Sequence, residues 1–183
     1  MKELSKAENI KSILIMAVVF GFVIYVLVRP WYVDYAIRKN FRGKIPNLID
    51  QDLDQKYRRG MRYRRGKVVI INIDDREIDS LHMKLPSDIR AYDPSEVDTI
   101  VWITRKQVNR GNYVDMKDKS RVIGKANVHV WKLTVIDVKN KRIVYYKNIY
   151  GSAPFSVAIG EGDSSGLKPS SYDMVDYIKS LPN

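Results

Sequence analysis

Apolar and polar positions alternate in three different regimes along this chain. The first is a continuous apolar run, SILIMAVVFGFVIYVLV, seventeen residues from Ser12 to Val28 without a charge. A helix that crosses a bilayer needs about 20 mostly apolar residues, with a range of roughly 17–25. Lys11 precedes the run and can snorkel to the headgroups. Trp31, Tyr32 and Tyr35 follow it, and rings of this kind favour the membrane interface. The pattern predicts a short polar N-terminus over 1–11 and a transmembrane helix with an interfacial aromatic flank over 12–33. A soluble core helix, apolar all round for nearly five turns, does not suit so small a chain. A cleaved signal peptide would end in small residues, whereas this run ends Val28-Arg29-Pro30-Trp31. The expectation is therefore a single-pass protein with a retained signal anchor. Lys2, Lys6 and Lys11 stand before the run, and Arg29, Arg38, Lys39, Arg42 and Lys44 after it. The imbalance leans toward a cytoplasmic C-terminal domain, but two charges leave the side of the membrane open.

The second regime, 34–66, has no sustained period and reads as a basic juxtamembrane linker. The third, 67–183, alternates between strand and turn signals. KVVIINID at 67–74 is a β-branched run that predicts a buried strand. Asp93-Pro94-Ser95-Glu96 has the cap, proline and glutamate order of a short helical turn. TIVWITR at 99–105 predicts a second strand. The polar, turn-rich stretch NRGNYVDMKDKSRVIGK at 109–125 reads as a loop. Residues 126–137 and 142–150 predict a hairpin turning near Lys139-Asn140-Lys141. Gly151 to Pro169 reads as a Gly/Ser/Pro-rich loop. Ser170–Leu181 reads as an amphipathic helix, with Tyr172, Val175, Ile178 and Leu181 on one stripe covering the hairpin. The predicted fold class is α+β: an N-terminal transmembrane helix, then a small, mostly antiparallel sheet of about four strands with a C-terminal helix.

Charge refines this picture. The chain of 183 residues has a net charge of +11, unevenly placed. Residues 29–67 carry twelve Lys/Arg and four Asp, whereas 68–183 carry seventeen Lys/Arg and fifteen Asp/Glu. Nucleic-acid-binding domains usually wear their charge on the fold, so this distribution points first to a membrane surface. The unit Tyr-Arg-Arg-Gly occurs at 57–60 and again at 63–66. Arg58, Arg59, Arg62, Arg64, Arg65 and Lys67 make this segment the candidate for anionic lipid or nucleic-acid binding, with a solvated linker as the plain alternative. Nucleic acid ranks behind lipid.

The absence of cysteine excludes disulfides, thiolate metal sites and cysteine nucleophiles. With only His82 and His129, a multi-histidine metal site is excluded too. The weak catalytic candidates are Asp74, Asp75, Glu77, Asp79 and His82, a carboxylate cluster after the first strand that resembles an Mg²⁺ or acid–base site. The plainer reading is a charged turn in which Asp caps the backbone. The Gly-rich stretch Gly160–Gly166 misses the dinucleotide spacing by one residue and carries Glu161 and Asp163, which would repel phosphate. No cofactor is expected. The reading leans away from an enzyme and toward a membrane-anchored interaction or assembly module, with the bilayer and another protein as partners. A metal-assisted hydrolase or transferase at 74–79 and anionic binding through 57–67 are the alternatives.

Overall fold

The structure is a computed structural model that describes residues 6–50, 63–154 and 162–183. The chain divides into two compact units, Met1–Asn40 and Phe41–Asn183.

The first unit is built on helix α1, Lys6–Phe41, which continues unbroken through Pro30. At about 1.5 Å per residue its 36 residues measure roughly 54 Å. Over Lys11–Phe41 it is long and apolar enough to cross a membrane. Its apolar side chains from Ile13 to Val28 are all exposed, as are Trp31, Tyr32 and Tyr35. Asp34 and Arg38, one turn apart, form an ion pair at 3.1 Å. The helix thus absorbs the first part of the segment that the sequence reads as a linker, and a five-residue helix, α2 (Ile45–Ile49), follows it.

The second unit is an α+β domain around a mixed sheet of six strands. These are β1 (Val68–Asn72), β2 (Glu77–Ile78), β3 (Thr99–Val114), β4 (Val122–Asp137), β5 (Arg142–Tyr150) and β6 (Ser164–Ser165). The spatial order is β2-β1-β3-β4-β5, and β6 also pairs with β4. Two pairings, β1 with β3 and β6 with β4, are parallel. The sheet is therefore larger and more mixed than the sequence suggests. The parallel β1–β3 pair arises because the chain between them crosses over through β2 and two 3-10 turns, Ser80–Lys84 and Pro94–Glu96.

Every residue of β1 is buried, which explains why it reads as an unbroken apolar run. One face of the sheet presents Val68, Ile70, Val101, Ile103, Leu133, Val135 and Val144. Leu81, Leu85 and Ile89 from the crossover and Met174, Ile178 and Leu181 from the C-terminus complete that core. Helix α3, Ser171–Lys179, is capped as expected: Ser170 Oγ accepts from the Tyr172 amide at 3.2 Å. Its buried stripe differs from the expected one. Met174 and Ile178 are inside, whereas Tyr172 is 79% exposed, so the helix packs on an i, i+4, i+7 stripe running through Leu181.

The largest departure concerns 109–125. The expected loop is instead the outer half of a hairpin in which β3 and β4 pair all the way from Thr99↔Asp137 to Val114↔Val122. The turn-forming residues Asn109 and Gly111 mark a bulge rather than a strand end, and Asn109 Oδ1 accepts from the Gly111 amide at 2.7 Å.

Candidate functional site

Within the carboxylate cluster at the end of β1, Asp75 and Asp79 hold local structure. Asn72 Oδ1 accepts from the Asp74 amide at 3.0 Å, and Asn72 Nδ2 donates to Asp75 at 2.5 Å. Together with Arg76, whose φ of 54° is left-handed, they shape the tight β1–β2 turn. Asp74, Asp75 and Glu77 are exposed, whereas Asp79 is buried. Asp79 accepts from the Leu81 amide at 2.9 Å, capping the 3-10 turn, and its second oxygen holds Arg105 at 2.6 Å. His82 is fully buried: its Nε2 lies 2.9 Å from the Ala91 carbonyl, and Phe41 meets its ring edge-on. Among the described residues no three His, Asp or Glu stand close enough to share a metal ion.

The basic segment divides. Arg58, Arg59 and Arg62 lie outside the described residues. The second Tyr-Arg-Arg-Gly unit is folded into the domain. Tyr63 is buried and its hydroxyl lies 2.8 Å from Thr99 Oγ1, which itself donates to the Arg65 carbonyl at 2.6 Å. Burial raises the Tyr63 pKa to about 12, with the negative charge of Asp137 adding to it and the Thr99 hydrogen bond opposing it.

Arg65, expected at a surface, is only 5% exposed. Its guanidinium donates to the Ile178 carbonyl at 3.2 Å, the Lys179 carbonyl at 2.5 Å and Asn183 Oδ1 at 2.6 Å, so it caps the end of α3. Gly66 has φ 51°, and a Cβ there would collide with the Asp98 carboxylate. Arg64 remains exposed, and Lys67 reaches the Ser87 carbonyl at 3.2 Å. Arg64 and Gly66 line an open polar cleft of about 440 Å³ with Asp98, Asp137, Lys139 and Asn140. Asp137 is already engaged there by Asn140 at 2.7 Å and Arg142 at 3.1 Å.

The feature that stands apart is the outer half of the β3–β4 hairpin, hereafter the ribbon. β1 accompanies β3 only as far as Ile103, and β5 accompanies β4 only back to Val130. Beyond those points residues 106–112 are exposed on both faces. Eleven residues of β3 continue past its last pairing with β1, a reach of about 35 Å at roughly 3.3 Å per residue. At the root, Arg105 is clamped between the Asp79 carboxylate and the Trp131 ring, 5.3 Å from its centroid. Farther out, Arg110 lies over Tyr150 at 5.3 Å.

The ribbon also holds the domain's positive charge. Residues 106–125 contain six Lys/Arg and two Asp, for +4, whereas the rest of 68–183 has eleven Lys/Arg and thirteen Asp/Glu, for −2. Both aspartates are turned to shaping the tip. Asp115 accepts from the Lys117 amide at 2.7 Å, and Arg121 approaches its other oxygen at 3.8 Å. Asp118 accepts from the Ser120 hydroxyl at 2.6 Å and amide at 3.0 Å, and these bonds, the hydroxyl first, lower its pKa. Lys106, Lys117, Lys119 and Lys125 have no carboxylate partner among the described residues. Sequence reasoning misses this surface because its charges are split between two paired strands, at Lys106, Arg110 and Lys125, and the turn that joins them, at Lys117, Lys119 and Arg121. Trp31, Tyr32 and Tyr35, the interface candidates, are exposed on α1.

No family model, curated protein or solved structure matches the chain.

Proposed function

We propose that the chain is a single-pass, membrane-anchored binding module that works through the basic ribbon. Helix α1 holds it in the bilayer, Trp31, Tyr32 and Tyr35 lie at the interface, and the α+β domain is the rigid base from which the ribbon projects. The observation that carries this reading is the separation of charge from core. Residues 106–125, where Tyr113 is the one buried side chain among the described residues, hold +4, and the rest of 68–183 holds −2. Exposed lysines on two paired strands and on the turn that joins them present a surface for an anionic partner. The exposed, all-round apolar surface of α1 supports the anchor, since an apolar helix of that length is stable in lipid and not in water.

Two measurements test the proposal. Membranes containing the full chain are extracted with alkaline carbonate. The protein stays in the pellet if α1 spans the bilayer and is released if it does not. In cells, a photo-crosslinking amino acid replaces Lys117 or, as an exposed control, Lys168. Adducts from position 117 that position 168 does not give support the ribbon as the contact surface. Equal yields from both positions end that part of the proposal.

A further inference from the structure

We infer that the ribbon tip docks on an anionic lipid surface, with Val114, Met116 and Val122 entering the headgroup region and Lys117, Lys119 and Lys125 neutralising lipid charge. This inference rests on the ribbon being the working surface and names its partner. The tip is not merely basic. Val114 and Val122 are cross-strand partners, and Met116 leads the turn beside them. They are 44%, 56% and 88% exposed, which makes an apolar cap at the far end of a charged arm. A short apolar tip ringed by lysines is the composition that binds a bilayer interface: apolar area enters the headgroup boundary, and the cations stay with the phosphates.

The same residues argue against nucleic acid. Binding to single strands uses exposed rings on which bases stack. The single aromatic residue of 106–125 is Tyr113, and it is buried. An acidic protein partner would use the lysines but leave Met116 without a role.

The test uses the full chain and its lack of cysteine. Met116→Cys is labelled with an environment-sensitive fluorophore, and the protein is reconstituted into vesicles of phosphatidylcholine alone or phosphatidylcholine with phosphatidylglycerol. The expected result is a blue shift in the phosphatidylglycerol vesicles only. High salt reverses it, and it is absent when Lys117, Lys119 and Lys125 are all replaced by Gln. Near-UV circular dichroism of Trp102 and Trp131 verifies that the Gln variant is folded.

A label that stays in water in both vesicles overturns the inference, as does an equal shift in both. A shift that appears only when RNA or duplex DNA is added to the phosphatidylcholine sample also overturns it and assigns the ribbon to nucleic acid. Carbonate extraction reads the anchor alone. If the chain does not stay membrane-bound, the labelled protein is added to preformed vesicles and the same shift decides the tip, so the two readings fail separately.

Discussion

The two halves of the β3–β4 hairpin belong to the same strands and obey different physics. In the root half, 99–105 against 131–137, β3 and β4 lie between β1 and β5, and Val101, Ile103, Leu133 and Val135 are closed into the core. In the outer half, 106–114 against 122–130, the backbone ladder continues but the burial stops until Val128 and Val130, with Tyr113 the exception. Hydrogen-bond pairing sets the shape of both halves, and the apolar core is built mainly by one. The root is therefore a structural element, and the ribbon is free to carry charge that a core could not accept.

Truncation should break this comparison most sharply. Ile103→Ala or Leu133→Ala removes a fully buried side chain and is expected to cost about 2–5 kcal/mol. Val108→Ala, on the ribbon and 37% exposed, should change stability by no more than about 0.5 kcal/mol. Urea unfolding of the full chain in detergent, followed by near-UV circular dichroism, measures both. Similar costs at the two positions would mean that the ribbon shares the core's cooperativity.

Arg65 comes next. Arg65→Ala leaves the last carbonyls of α3 without their charged donor and is expected to cost about 2 kcal/mol. Amide hydrogen exchange should accelerate over Ser171–Lys179 and leave the ribbon unchanged. Arg65→Lys should recover little, because a single ammonium cannot fork to two carbonyls and Asn183 together. A variant with native protection in α3 would show that the guanidinium is dispensable.

Tyr63 gives a pH-dependent test of the root. Its folded pKa, about 12, lies above the ordinary tyrosine value near 10, so the folded state favours the protonated phenol. The associated stability is complete below pH 10 and is lost as pH rises from about 10 to 12, with a slope of up to about 1.4 kcal/mol per pH unit. Burial also raises the Tyr177 pKa and acts in the same direction. Tyr63→Phe should cost about 1 kcal/mol at neutral pH through the lost Thr99 hydrogen bond, and should flatten the alkaline slope. Parallel stability curves for wild type and variant between pH 10 and 12 would refute the assignment.

These contrasts also explain what the sequence reveals. The strand of 67–74, the cap at Asp93, the hairpin at 126–150 and the C-terminal helix are legible because burial or capping stamps a local pattern on them. TIVWITR announces the root for the same reason. KQVNRGNYV does not announce its strand, because neither of its faces is buried enough to show a period of two. The Tyr-Arg-Arg-Gly repeat reads as a uniform basic patch, yet Arg65 is fixed by carbonyls 113 and 114 residues away, a relation with no local trace. The carboxylates at 74–79 look like one cluster in one dimension, whereas in three Asp75 braces the β1–β2 turn and Asp79 caps a 3-10 turn.

The finest test asks whether the ribbon has its own local order. The β4 edge of the ribbon is covered between Ile123 and Asn127: the Gly162 amide donates to the Ile123 carbonyl at 2.8 Å, the Lys125 amide donates to Asp163 at 2.9 Å, and the Gly166 amide donates to the Asn127 carbonyl at 3.1 Å. This approach requires glycine at 124, because a Cβ there would occupy the place of the Gly162 carbonyl. Gly124→Ala should therefore push the 162–166 segment off β4. The amides of Gly162 and Lys125 should lose their exchange protection, and the global unfolding midpoint should move by no more than about 0.5 kcal/mol. Local loss without global loss is the signature of a ribbon whose geometry is tuned separately from the core. A Gly124→Ala protein that unfolds several kcal/mol earlier would instead make the ribbon part of the folding unit, and the division of labour between root and ribbon would have to be abandoned.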